Sequence, residues 1–281
     1  MDWIDALILG IIQGLSEYLP ISSSGHLEIF KQILGVHLDP DASLEFSIML
    51  HVATVLSTIV ILWHEFYPLL VSFFTVKRDD RFYTVCKILL SCIPVGIIGA
   101  FFQKDVEEFF KGNLTVVGIC LIVTAALLCF AYFTRTRAAI KNPGSPQGRN
   151  ITWLDAFIIG CAQAIAVLPG LSRSGTTIAT GIILGDNREK VAQFSFLMVI
   201  IPILGEALLD IKDMFGIEAA DAAAGAATPE VGTAAIVVGF LTSFIVGCIA
   251  CKWMLSLVKK GKLVWFALYC LAAGILCITV G

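Results

Sequence analysis

The sequence predicts an all-α polytopic membrane protein, with six transmembrane helices plus two re-entrant helix pairs arranged as inverted-topology repeats. Three observations lead there. The 281 residues are 58% hydrophobic and only 15% charged, with a mean hydropathy of +0.89, whereas a soluble domain is about half apolar and a quarter charged. The chain also repeats itself. Trp3, Asp5, Ala6, Gly10 and Gln13 return as Trp153, Asp155, Ala156, Gly160 and Gln163; Ser24-Gly25 returns as Ser174-Gly175, and Phe46-Ser47 as Phe194-Ser195. Finally, basic and acidic loops alternate along the chain, which sets orientation in a bilayer.

Taken in order, residues 3–15 read as a helix too short to span, with Gly10 and Gly14 offering a face for close helix contact. Pro20–Gly25 reads as an unwound turn, and residues 26–36 as a second short helix. Two short helices meeting at a polar turn make a re-entrant hairpin, tolerated only where its backbone is buried in protein or lines a wet cavity. Spans follow at 44–64, 85–103 and 114–134, each near the ~20 residues that a bilayer demands. A basic, turn-rich linker carries Arg135, Arg137, Lys141, Asn142-Pro143-Gly144 and Arg149. Short helices at 153–168 and 176–186 come next, the first broken by Pro169, and then spans at 191–211, 231–255 and 263–280. The chain is thus one integral-membrane domain, 1–281: repeat one 1–134, linker 135–152, repeat two 153–281. Paired interrupted segments in two halves point to a binding site at the repeat interface.

Charge supplies the orientation. Loops 65–84 (Lys77, Arg78, Arg81) and 256–262 (Lys259, Lys260, Lys262) and the linker are basic and belong in the cytoplasm; loops 104–113 and 212–230 (Glu218, Asp221, Glu230) are acid-dominated and belong outside. The alternation works only if each short-helix pair returns to the side it entered, which inverts one repeat against the other and puts both termini outside. The net charge of −3 gives no sign of a nucleic-acid partner. Nine cysteines without a CxxC pair read as small hydrophobes rather than metal or disulfide chemistry. Asp2 and Asp5 stand where a signal peptide is basic, so the N-terminus reads as uncleaved.

Two polar clusters interrupt the hydrocarbon. The first runs from Gln13 to His26 and contains Glu17, Ser22, Ser23 and Ser24; the second, Pro169–Thr177, contains Ser172, Arg173, Ser174 and Thr176. Ionisable groups at bilayer depth are expensive, and such a cluster is a functional site by default. Gln13 and Glu17, four residues apart, share one helix face. Glu17 reads as an acid/base or a ligand for a hard cation, against the alternative of an interfacial carboxylate. The three serines either bind a ligand or satisfy the turn's own backbone. His26 reads as catalytic beside Glu17, against a capping role. Arg173, in a Gly/Ser turn before a helix opening at Thr176-Thr177, makes an anion trap of guanidinium fork, hydroxyls and helix N-terminus; the alternative is a headgroup or loop brace. Its repeat-one counterpart is Ser23, so the halves have diverged chemically. His51 is either a cavity residue or a neutral histidine bonded to a neighbouring helix, and Glu206 with Asp210 reads as a water-exposed helix end. A carboxylate, a nucleophile, an imidazole and an anion clamp fit phosphoryl chemistry on a phosphate ester or anhydride. No Walker loop, HExxH or GxSxG is present, so NTPase, zincin and lipase readings have no support.

These residues also carry a resemblance. QGLSEYLPISSSGH resembles the (E/Q)GxxExLPxSSxGH motif of the bacterial undecaprenyl-pyrophosphate phosphatases, or bacitracin-resistance proteins, and PGLSRSG resembles that family's PGxSRSG. The likeness covers essentially the whole chain. It implies hydrolysis of undecaprenyl pyrophosphate, recycling the lipid carrier of cell-wall synthesis, in the bacterial plasma membrane with the substrate opening outside. It implies a divalent cation, Mg2+ or Ca2+, with Glu17 as its ligand. Glu17, Ser23, His26 and Arg173 would do the work, with Gln13, Ser22, Ser24, Ser172, Ser174 and Thr176 lining the pocket. Gln13 stands where many members have glutamate and cannot act as a base, so that task falls on Glu17. The nucleophile is Ser23, with Glu17 or His26 taking its proton, and a phosphohistidine on His26 is the competitor. The partners implied are a polyprenyl pyrophosphate and membrane lipid, with a homodimer as the assembly to test. Inverted repeats and an anion clamp also describe secondary transporters, which leaves a lipid-phosphate flippase or anion carrier as the alternative function.

Overall fold

The computed structural model describes all residues except 37, 39, 77, 111–113, 142–147, 206, 209–230 and 281. Every long element among the described residues is a helix: α1 (Trp3–Ser16), α2 (Ser23–Leu34), α3 (Pro40–Ile61), α4 (Trp63–Phe74), α5 (Asp80–Phe110), α6 (Leu114–Lys141), α7 (Trp153–Ile165), α8 (Arg173–Leu184) and α9 (Arg188–Met198). A short helix over 200–205 (α10) follows, and then α11 (Thr233–Lys259) and α12 (Val264–Val280). Among the described residues, four stretches are long and apolar enough to cross a membrane: Ala42–Ile61, Asp80–Phe101, Leu114–Thr134 and Thr233–Lys259. With side chains such as Ile97, Phe101, Phe130, Leu241 and Ile249 standing exposed on them, the fold is that of a polytopic membrane protein.

Several sequence expectations change at the element ends. The helix after Pro20 begins at Ser23, not His26, and the helix after Pro169 begins at Arg173, not Thr176. In both, a serine hydroxyl caps the new helix: Ser22 Oγ and Ser172 Oγ accept from the N–H of Gly25 and Gly175. Poor helix formers thus start a helix because they satisfy its first-turn donors. The loop expected at 65–84 contains α4, whose Trp63, Tyr67, Leu70, Val71 and Phe74 are exposed. The linker is shorter than expected, since α6 continues to Lys141. The span expected at 191–211 is divided at Val199 between α9 and α10. Its Glu206 and Asp210, the loop 212–230, Lys77 and the Asn142-Pro143-Gly144 turn lie outside the described residues. Arg149 is not a free surface charge: its guanidinium pairs with Asp155 at 2.7 Å and Asp186 at 3.4 Å. Asp155 also forms a capping box with Thr152 at the start of α7.

The duplication reappears in the packing. α1 lies along α11 and α7 lies along α5, while α6 and α12 pair with each other. At the equivalent glycines the helices nearly touch. A Cβ on Gly10 would meet the Gly239 carbonyl at 2.7 Å, and one on Gly160 would collide with the Ser91 backbone. Small residues at these crossings let backbones approach, the main source of helix association where lipid removes the hydrophobic drive. The turn between α1 and α2 is anchored against α3 by Tyr18. Its phenol is buried and bonds the Thr54 carbonyl (2.5 Å) and Thr58 Oγ1 (2.9 Å) on α3, and its ring meets Phe196 edge-on. The two polar clusters therefore face one another.

Candidate active site

Glu17 is the centre. It caps the C-terminus of α1, and three side chains donate to its carboxylate. Ser23 Oγ, on the first residue of α2, reaches Oε2 at 2.6 Å; Gln13 Nε2, one turn back on α1, reaches Oε2 at 3.0 Å; Arg173 Nη2, on the first residue of α8, reaches Oε1 at 3.4 Å. His51 Nε2 on α3 lies 3.8 Å from Oε2, in ion-pair range when the ring is protonated. The two repeats contribute their equivalent first helical residues, a hydroxyl from one and a guanidinium from the other, to opposite oxygens of one carboxylate.

These groups open on a cavity of about 730 Å3, lined by Glu17, Ser22, Ser23, Ser24, His51, Ser172, Arg173 and Ser174 at its polar end. Its far wall is apolar and small: Val95, Gly96, Gly99 and Ala100 of α5, and Ile201, Pro202 and Gly205 of α10. The α1–α2 turn carries strain. Ser22 adopts φ 73°, ψ 105°, a region that costs a non-glycine residue about 1–3 kcal/mol. Gly170, at φ +90°, turns the second cluster so tightly that a Cβ would meet the Val117 backbone at 2.8 Å.

Not every expected residue reaches the cavity. Gln13 stands behind Glu17 rather than on the wall. Thr176 lies on the buried face of α8, and its hydroxyl has no hydrogen-bond partner among the described residues. His26 is buried and turned toward α12: Nδ1 is 2.8 Å from the Ser22 carbonyl and Nε2 2.6 Å from the Tyr269 hydroxyl. His51, ambiguous in sequence, occupies the place expected of His26 beside Glu17. Gln163, in sequence only the repeat of Gln13, lines the cavity, and neither of its buried amide atoms has a partner among the described residues. Its position in the repeat was the available signal.

The fold and site together define a polytopic membrane protein in which the two polar clusters build one partly buried carboxylate–hydroxyl–guanidinium centre. The chain belongs to the bacitracin resistance protein BacA family, whose sequence profile matches residues 6–276. It is similar to proteins named undecaprenyl-diphosphatase along its whole length. That of Bacteroides fragilis is 51% identical over 280 residues, covering 100% of this chain and 98% of the relative. That of Parabacteroides distasonis is 50% identical over 278 residues, 99% and 98%. An archaeal relative from Methanobrevibacter smithii is 35% identical over 289 residues, 98% and 96%.

Proposed function

We propose that this protein is an undecaprenyl-diphosphatase, converting undecaprenyl pyrophosphate to undecaprenyl phosphate and inorganic phosphate. In the cell this recycles the cell-wall lipid carrier and confers resistance to bacitracin. Family membership and the name shared by full-length relatives support the substrate. The observation that carries the chemistry is the 2.6 Å bond from Ser23 Oγ to Glu17 with Arg173 on the other carboxylate oxygen.

Ser23 Oγ attacks the terminal phosphorus while Glu17 accepts its proton. The bond from that phosphorus to the bridging oxygen breaks, and undecaprenyl phosphate leaves. Water then attacks the phosphoserine, inorganic phosphate departs, and the Ser23 hydroxyl is restored. Arg173 takes the charge on the non-bridging oxygens, the main task in phosphoryl transfer. Ser23 is favoured over His26 as nucleophile because both His26 ring nitrogens are already engaged away from the cavity.

The donor set also fits a divalent cation, Mg2+ or Ca2+, shared with the substrate. Among the described residues no cluster of three or more His, Cys, Asp or Glu could hold a metal. Glu17 supplies one carboxylate, and Gln13 Oε1 beside it is a buried oxygen without a hydrogen-bond partner. Hard cations held by one carboxylate take their remaining oxygens from phosphate and water. Bound there, the cation would neutralise charge on the pyrophosphate.

The experiment is phosphate release from undecaprenyl pyrophosphate by purified protein in detergent, with and without chelator. Turnover that chelation suppresses is the expected result, and no turnover with Mg2+ or Ca2+ supplied would favour the carrier reading, since transport needs a sealed membrane. The loop charges support a bacterial plasma-membrane orientation with both termini and the cavity mouth outside. A cysteine introduced at Gly144 should then resist an impermeant thiol reagent applied from outside. Light scattering of the solubilised protein tests the homodimer.

A further inference from the structure

We propose that Tyr269 is a positioning residue for the Ser23 nucleophile, acting through His26 and the Ser22 carbonyl; this rests on the phosphatase reading above. Tyr269 stands on α12, outside the cavity, and its hydroxyl lies 2.6 Å from His26 Nε2. The two rings stack with centroids 5.6 Å apart and planes at 21°.

The hydrogens can be assigned from chemistry. A backbone carbonyl only accepts, so the His26 nitrogen 2.8 Å from Ser22 O, Nδ1, carries a proton. No carboxylate pairs with His26 among the described residues, and a buried imidazole with no counter-charge stays neutral. Nε2 is then an acceptor, and the Tyr269 hydroxyl donates to it. The phenol fixes the tautomer, and the tautomer fixes the bond to Ser22.

That bond holds a residue that would otherwise relax. Ser22 sits at φ 73°, and the next residue is Ser23. The Ser22 carbonyl takes two donors from His26, the ring Nδ1–H and the backbone N–H at 3.2 Å. One residue past Tyr269, Cys270 donates Sγ–H to the Pro20 carbonyl at 3.3 Å. α12 thus grips the Pro20–His26 turn at both ends. Without the Tyr269 hydroxyl, the proton can move to Nε2, the ring loses Ser22 O, and Ser22 can return to negative φ. Ser23 Oγ then swings off Glu17. Tyr269 never touches substrate, so its effect falls on turnover rather than on binding.

The test is Tyr269→Phe, which keeps the ring stack and removes only the donor. Turnover should fall about 3- to 10-fold, the weight of one part-buried hydrogen bond, with KM within about twofold. Glycine adopts positive φ without strain, so in a Ser22→Gly background the same substitution should cost less than about twofold, the coupling a double-mutant cycle reads. Nitrogen-15 spectra of the imidazoles, with His26 assigned by its loss in His26→Gln, should show wild-type protein protonated at Nδ1 and Tyr269→Phe shifted toward Nε2. An equal loss of turnover in both backgrounds, undiminished turnover in Tyr269→Phe, or wild-type His26 protonated at Nε2 alone would overturn the proposal. If wild-type protein releases no phosphate at all, the phosphatase reading fails, while the spectra still decide the His26–Tyr269 tautomer.

Discussion

Replacing Arg173 with lysine keeps the charge and removes the fork, which separates an anion clamp from a structural brace. Arg173 begins α8 and reaches Glu17 at only 3.4 Å with one Nη2, a long contact that holds little of the protein together. Its side chain is 23% exposed and lines the cavity. A guanidinium binds two phosphate oxygens at once in a fixed plane, whereas an ammonium acts as a mobile point charge. Losing one charge-assisted donor that strengthens in the transition state costs about 2–4 kcal/mol, or roughly 30- to 1,000-fold in rate. The assay is phosphate release at saturating substrate, with monodispersity and melting temperature measured on the same preparation. A brace at 3.4 Å would be replaced by lysine with little change. A folded Arg173→Lys protein with near wild-type turnover would therefore remove Arg173 from catalysis, and with it the claim that repeat two supplies the anion clamp.

Three further outcomes follow from the same geometry. Ser23→Ala and Glu17→Gln should each lower turnover by about two to four decades, and the double variant should be scarcely worse than either, because nucleophile and base act as one unit; additive losses would separate them. Gly160→Val should fail to yield monodisperse protein or lower its melting temperature sharply, since even a Cβ collides with the Ser91 backbone at the α5–α7 crossing; an unchanged melting temperature would mean those helices part easily. Tyr18→Phe leaves the buried Thr54, Ser57 and Thr58 groups short of a partner. It should destabilise by about 1–3 kcal/mol, read as a lower melting temperature, and unaltered stability would show that the turn is held elsewhere.

Much of this protein was legible in the sequence because it rests on local or statistical properties of the chain. Hydropathy and helix length report solvent, so the membrane class and four of the six expected spans followed from composition. The repeat is covalent information: Gly10, read as part of a close-contact face, recurs as Gly160, and the structure has close crossings at both, against Gly239 and Ser91. Both clusters, and their reading as halves of one site, were legible because an acid, hydroxyls and an arginine have few other reasons to interrupt hydrocarbon. Tertiary structure alone decided which imidazole faces the carboxylate. His26 is nine residues from Glu17 in sequence and His51 thirty-four, yet helix α2 turns His26 outward to Tyr269 while α3 carries His51 to 3.8 Å from Glu17. The direction of a side chain on a helix depends on where that helix starts, and α2 starts at Ser23 rather than His26 because Ser22 caps it in a conformation that the rest of the fold holds in place. A turn held by α3 through Tyr18 and by α12 through Cys270 and Tyr269 is a product of residues far apart in the chain, and no local pattern records it.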